Sequence, residues 1–319
     1  LKVKISERTK VIMVVPMLGG SSKIGEIMEV VRNVNNFRKK KNLSKIFVLE
    51  DCAQSLGAHA FGIPGSSQAS FPEGCYKLGT FGDIGTFSLQ LNKDITAGEG
   101  GMVVTRDKDL NDRVDALHNA GYIKKEKNNI NWYGDIPYGW GHGRRMSELQ
   151  GAVARVQLKK LDTILDSIRK NHSFFEEFFK KQGIKLRKRA YQNNPGDTGY
   201  YLCFHLPENL DDNTAISKGR EIAKDLKDKG FNVWFLHDFE VHIYYNIEPL
   251  VKKFPMNDGS PWEDPKNSFH TQYKYDRGAL PNLDHLLIRT IGLNMPSKMS
   301  DNTRDNMMND LLVTLKNLY

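Results

Sequence analysis

"VIMVVPMLGGSSKIGEIMEVVRNVNNFRKKKNLSKIFVLE", residues 11–50, holds the pattern that decides the fold. Its opening run "VIMVV" (11–15) is apolar and of strand length, and "IFVLE" (46–50) is a second run of the same kind. Between them, "KIGEIMEVVRNVNNF" (23–37) repeats apolar residues at the spacing of a helix buried along one stripe. Strand, helix and strand in that order describe parallel neighbours joined by a crossover, the unit of an α/β sheet covered on both faces. The basic run "FRKKKNLSK" (37–45) closes the helix, where cations meet the negative end of its dipole. "GGSS" (19–22) opens it, either as a phosphate-binding turn or, the favoured reading, with Ser21 or Ser22 as the helix cap.

The alternation continues downstream. "IGTFSL" (84–89) and "GMVVT" (101–105) are strand candidates, and "DKDLNDRVDALHNAG" (107–121) is a helix that Gly121 can stop. From Met146 a long helical pattern runs through "SELQGAVARVQLKKLDTILDSIRKNHSFFEEFFKKQG", and Gly183 ends it. The texture then changes. "YYLCFHL" (200–206) and "FNVWFL" (231–236) suit strands, 214–229 and 301–318 suit helices, and 255–280, rich in Pro, Asp and aromatics, suits a loop. The expected division is a large α/β domain over 1–183, long helix included, and a smaller α+β domain over 184–319.

Composition narrows the function. With 39% hydrophobic and 26% charged residues in 319, the chain matches an ordinary globular protein with a sizeable core. No apolar run approaches bilayer-spanning length, and the opening residues "LKVKISERTK" lack the apolar stretch of a secretory signal. The three cysteines, Cys52, Cys75 and Cys203, are widely spaced, which disfavours a disulfide framework or zinc knuckle and makes the cytoplasm the expected compartment. The nine histidines show no metal-ligand spacing, so no metal is expected. A net charge of +8 favours anionic partners, but no helix-turn-helix, zinc-finger or RNP-like pattern accompanies it, so nucleic acid is not expected among them.

Ligands of parallel α/β sheets sit beyond the carboxyl ends of the strands. The strand 46–50 delivers Asp51 there, followed by Gln54, while 84–89 delivers Ser88 and Gln90 just ahead of Lys93 and the glycine-dense turn Gly98–Gly101. A carboxylate, an amide, a hydroxyl and a lysine can thus converge on one crevice.

The motifs "LEDCAQSLGA", "GTFGDIGTFS", "NKDITAGEGGMVVT" and "RRMSELQGAVARVQL" occur in register. Together they resemble the successive signatures of the DegT/DnrJ/EryC1/StrS aminotransferases, with the match running from about Thr9 to Leu161. The resemblance implies an α/β, fold type I pyridoxal 5'-phosphate transferase: a mostly parallel sheet flanked by helices, and a smaller C-terminal α+β domain. Lys93 takes the family's Schiff-base position, Asp51 that of the carboxylate beside the ring nitrogen, Gln54 that of the glutamine near the ring hydroxyl, and Ser88 that of a hydroxyl on the cofactor phosphate. A lysine in this role works as the free amine, and the ring works as an electron sink. The implied reaction moves an amino group from glutamate or glutamine to a keto sugar, expected to be nucleotide-linked, in a homodimer. Two alternatives stand beside it: amination of a keto-cyclitol, and a non-catalytic remnant serving as a binding module. Sugar dehydration is disfavoured, because family members of that kind replace the lysine with histidine.

The chain departs from the family pattern in three places. Only fifty residues precede Asp51, so an N-terminal portion with a Gly-Ser/Thr phosphate turn and a stacking aromatic is expected to be missing. The segment "IPGSSQASFPEGCYKL" (63–78) is longer than usual, as a surface excursion or as part of a substrate mouth. The family's asparagine before "RMSE" is Gly143 here, leaving Arg144 or Arg145 to reach a neighbouring subunit's cofactor pocket from the aromatic- and glycine-rich segment 122–145, which contains Trp132, Tyr133, Tyr138 and Trp140.

Overall fold

A computed structural model of the chain describes residues 1–65, 73–122, 124–126, 129–130, 138–190, 196–265, 267 and 272–316. Trp132 and Tyr133 lie outside the described residues, as does the stretch 66–72 within the long 63–78 segment. The chain forms two compact units, Leu1–Arg169 with Arg189–Tyr200, and Lys170–Lys188 with Tyr201–Tyr319.

The first unit contains β1 (Val11–Val14), α1 (Ile24–Lys40), β2 (Phe47–Asp51), β3 (His59–Gly62), β4 (Gly74–Lys77), β5 (Ile84–Ser88), β6 (Gly101–Val104), α2 (Lys108–His118), β7 (Lys124–Glu126) and β8 (Asn129–Ile130). It also holds α3 (Glu148–Lys181) as far as Arg169. Four strands form the main sheet in the order β1-β2-β5-β6. β1, β2 and β5 are parallel, while β6 returns antiparallel along β5 and pairs Gly101 with Ser88.

Register shows which residues share a face, because strand side chains alternate. Ile12, Val14, Val48, Glu50, Gly85 and Phe87 share one face, and it is covered by Ile24, Met28 and Val31 of α1, each 0% exposed. Val11, Met13, Phe47, Leu49, Asp51, Thr86 and Ser88 share the other, where Val11 and Met13 are 55% and 54% exposed. The strand–helix–strand pattern predicts cover on both faces; among the described residues α1 lies on one, and on the other Phe47, Leu49 and Thr86 are part-buried while Val11 and Met13 are exposed. The crossover α1 and the β3–β4 hairpin both pack on the Val48–Glu50 side, so the first crossover alone does not supply the second layer.

Close backbone approach explains two glycines. At Gly25 in α1 a Cβ would drive into the Phe61 carbonyl of β3, so only glycine lets helix and hairpin touch. In the loop before β5, a Cβ on Gly82 would lie 2.6 Å from the Val48 carbonyl oxygen.

The expected cap of α1 is not the observed one. The helix is entered through Lys23, with no side-chain capping bond. Ser21 is drawn elsewhere: its hydroxyl donates to the His59 carbonyl, and its N–H donates to Asp197 Oδ1 at 2.6 Å. The 63–78 segment likewise yields structure the sequence did not announce, since β4 pairs antiparallel with β3. Gly183, with φ +71°, stands just past the end of α3 as the helix-stop reading requires.

The second unit contains the end of α3, β9 (Tyr201–His205), α4 (Asp212–Asp228), β10 (Val233–Phe235), α5 (Glu248–Val251), α6 (Pro281–Leu287), β11 (Thr290–Asn294) and α7 (Asp301–Leu315). Its antiparallel sheet has the order β10-β11-β9, with the unforeseen β11 in the centre. Asp211 caps α4 by accepting the Asn213 and Thr214 N–H groups, both at 3.0 Å. The Phe179 and Phe204 rings, 5.0 Å between centroids, tie the end of α3 to β9.

Candidate active site

The site of the first unit is built from adjacent carboxylates with opposite environments. Glu50 is 0% exposed and accepts three backbone N–H bonds, from Gly79 at 2.8 Å and from Phe81 and Gly82 at 2.7 Å each. Burial raises its pKa above the usual carboxylate range, and the three N–H groups oppose that rise. Asp83, in the same loop, accepts the Val48 N–H at 2.7 Å. The loop "GTFGD" is thereby fastened across the covered face of β2.

Asp51 is the last residue of β2, on the open face, where Oδ1 accepts the Ala53 N–H at 3.1 Å. Gln54 follows, and its Oε1 accepts the Leu18 N–H at 2.8 Å. Ser88 is the last residue of β5, its oxygen accepting the Gln90 N–H at 3.3 Å.

Lys93 stands in the loop that joins β5 to β6, and local bonds hold that loop closely. Gln90 Oε1 accepts the Asn92 N–H at 2.8 Å, and the Gln90 carbonyl accepts the Lys93 N–H at 3.1 Å. Tyr200 OH donates to the Asn92 carbonyl at 3.0 Å. Beyond Lys93, Ile95 is 2% exposed, and Thr96 Oγ1 donates to the Leu89 carbonyl at 3.1 Å while accepting the Gly98 N–H at 2.9 Å. The part-buried amine side chain therefore rises from a fixed backbone.

The structure places Asp51 and Ser88 at the carboxyl ends of two neighbouring parallel strands and Gln54 and Lys93 in the loops beyond them. No hydrogen bond or ion pair joins two of the four among the described residues. Each keeps polar capacity uncommitted there: Asp51 Oδ2, the Gln54 amide nitrogen, the Ser88 hydroxyl proton and Lys93 Nζ.

Three further residues belong to this neighbourhood. Glu50 had a legible signal, a carboxylate inside an apolar strand with a glycine-dense loop downstream. Tyr200 had none, being read as the start of a strand. Asp94, beside Lys93, has a buried Oδ1 without a hydrogen-bond partner among the described residues.

Cys52, next to Asp51, is buried, and desolvation with the nearby Glu50 pushes its thiol up to about 12. Farther along, a 760 Å³ cleft is lined in part by Glu99, His118, Arg144, Arg145 and Gln150. Arg145 Nη1 donates to Asn119 Oδ1 at 2.6 Å, and the Arg144 N–H donates to the His118 carbonyl at 2.8 Å. No group of residues suited to a metal ion occurs among the described residues, nor any helix long and apolar enough to cross a membrane.

The DegT/DnrJ/EryC1/StrS aminotransferase family model matches residues 1–255. The chain belongs to that family. It is 36% identical over 162 residues to GDP-perosamine synthase of Escherichia coli O157:H7, covering 51% of this chain and 36% of that protein. It is 28% identical over 210 residues to L-glutamine:2-deoxy-scyllo-inosose aminotransferase of Streptomyces lividus, covering 64% and 43%. The chain thus spans less than half the length of these curated relatives. Helicobacter pylori PseC, an aminotransferase involved in the biosynthesis of pseudoaminic acid, has a similar structure, with a TM-score of 0.66 at 19% identity over 99% of this chain and 69% of that one. The fold is that of the fold type I sugar aminotransferases.

Proposed function

We propose that this chain belongs to a pyridoxal-phosphate aminotransferase that moves an amino group from glutamate or glutamine to a nucleotide-linked keto sugar. One observation carries the reading: Lys93 sits on a pinned loop beyond the same strand ends that present Asp51 and Ser88, with the polar capacity of all three uncommitted. That donor set fits the cofactor. Asp51 would hold the protonated ring nitrogen, Gln54 the ring hydroxyl, Ser88 a phosphate oxygen and Lys93 the aldehyde carbon. When bound, pyridoxal phosphate supplies the electron sink for breaking and making bonds at the amine-bearing carbon.

The residues of the chain do the remaining work. The Asp51 carboxylate favours the charged form of whatever cation it meets. Lys93 Nζ would be the amine that holds the cofactor and, when free, a base able to carry a proton. Tyr200 and Gln90 limit the travel of that amine by fixing Asn92 and the Lys93 backbone. Glu50 keeps Asp51 at the strand end by locking the loop beneath it. We further propose a homodimer in the cytoplasm, with Arg144 or Arg145 facing the partner's cofactor site, and a keto-sugar substrate whose phosphates suit a chain of charge +8.

The test is reductive trapping. Full-length protein incubated with pyridoxal phosphate and then borohydride should carry one pyridoxyl group on the peptide that contains Lys93. A label on another lysine, or none, removes the reading.

A further inference from the structure

The short segment Gly196–Tyr200 follows α3 in sequence, yet it belongs to the first unit and is bonded to both loops that carry the candidate site. The Gly196 carbonyl accepts the His59 N–H of β3 at 2.6 Å. Asp197, 5% exposed, accepts the Ser21 N–H on Oδ1 at 2.6 Å, and its carbonyl accepts Arg169 Nε at 3.0 Å. Thr198, 0% exposed, donates its N–H to the Gly19 carbonyl at 2.8 Å. Tyr200 OH reaches the other way and donates to the Asn92 carbonyl, next to Lys93, at 3.0 Å.

The bonds to Gly19 and Ser21 arrive at the site through Gln54. Leu18, in the loop they hold, donates its N–H to Gln54 Oε1 at 2.8 Å. A backbone N–H can only donate, so it takes the amide oxygen and leaves the Gln54 NH2 group as the donating end. A glutamine set in that sense suits an oxygen acceptor such as the cofactor's ring hydroxyl. We propose that Gly196–Tyr200 is a brace holding two positioning residues. Tyr200 sets the Lys93 amine through Asn92, and Asp197 sets the Gln54 amide through Ser21 and Leu18. The inference rests on the cofactor reading of the site and adds that its two arms act separately. Loosening the amine lowers the rate at which it meets the cofactor, because the geometry of approach is lost. Loosening the amide removes a binding contact instead.

Two measurements on full-length protein separate the arms. Pyridoxamine phosphate has no aldehyde to link with lysine, so its affinity reports on the Gln54 arm. The rate at which borohydride traps pyridoxal phosphate on the Lys93 peptide, at saturating cofactor, reports on the other. Tyr200→Phe should slow trapping about fivefold and leave the pyridoxamine phosphate affinity unchanged. Asp197→Ala should weaken that affinity about fivefold and leave trapping unchanged. Asp197→Asn keeps an accepting oxygen for Ser21 and should restore the affinity. Gly19→Ala keeps Asp197 but sets a Cβ 2.3 Å from Thr198 Oγ1, and it should reproduce the loss. Circular dichroism checks that each variant is folded. In cofactor-free protein, amide hydrogen exchange should quicken over 90–97 in Tyr200→Phe and over 17–22 in Asp197→Ala. Undiminished trapping in Tyr200→Phe, or equal loss of both quantities in both variants, overturns the brace. Label on another lysine, with exchange still divided between the two loops, overturns the cofactor reading and leaves the brace standing.

Discussion

On β2, Val48 and Glu50 point to one face of the sheet while Phe47, Leu49 and Asp51 point to the other, and the two sets meet different surroundings. The first set lies under α1 and the glycine loop, with Val48 at 1% and Glu50 at 0% exposed. The second shares a face with Val11 and Met13, both more than half exposed, and leads to Ser88 and the Lys93 loop. Neighbouring carboxylates thus have separate tasks. Glu50 is saturated by backbone donors, whereas Asp51 keeps an uncommitted oxygen among the described residues. The contrast shows that a polar residue's role follows from the bonds it has left over, not from its chemical type.

Glu50→Ala tests the covered face most severely. It strands three buried N–H groups, each costing about 1–3 kcal/mol, so unfolding in urea should show a loss of about 3 kcal/mol or more. A loss under about 1 kcal/mol would mean that the loop holds without its carboxylate.

Asp51→Ala should divide stability from chemistry. The urea midpoint should move little, since the residue's one described bond is a local turn contact. On the proposed function, transamination by the full-length protein should fall about tenfold to a hundredfold, the equivalent of one charge-assisted hydrogen bond. Undiminished turnover would reduce Asp51 to a turn residue.

Met13→Ala has the smallest expected effect. On an exposed strand position it should change the stability of the 319-residue chain by no more than about 0.5 kcal/mol. A cost near the 2–5 kcal/mol typical of buried methionine would show that the open face is covered in solution.

Much of this was legible beforehand because the relevant signals are local. The apolar spacing of 23–37 gave α1, observed as Ile24–Lys40, and the run 46–50 gave β2, which extends one residue further to include Asp51 itself. Gly183 marked the stop of α3 because a left-handed backbone there suits glycine. The β3–β4 hairpin escaped notice since "HAFG" and "GCYK" are short, carry glycine and lack alternation. β11 escaped because "TIGLN" follows the apolar helix α6 after two residues, with no turn signal between them. The cap of α1 was misread because Ser21 has a stronger claim on it from His59 and Asp197, distant in sequence. At the site, the four family-aligned residues could be placed by motif, but the orphaned oxygen of Asp94 and the bond from Tyr200 depend on contacts that no local pattern encodes.

The uneven treatment of the cysteines has a practical consequence. Cys52 is sealed beside two carboxylates with its thiol held at about 12, Cys203 is buried, and Cys75 on β4 is exposed. Thiolate is the nucleophilic form, so maleimides and spin-label reagents should find one target at neutral pH. This 319-residue chain therefore supplies a single-point spectroscopic handle on the β3–β4 hairpin without any engineered mutation.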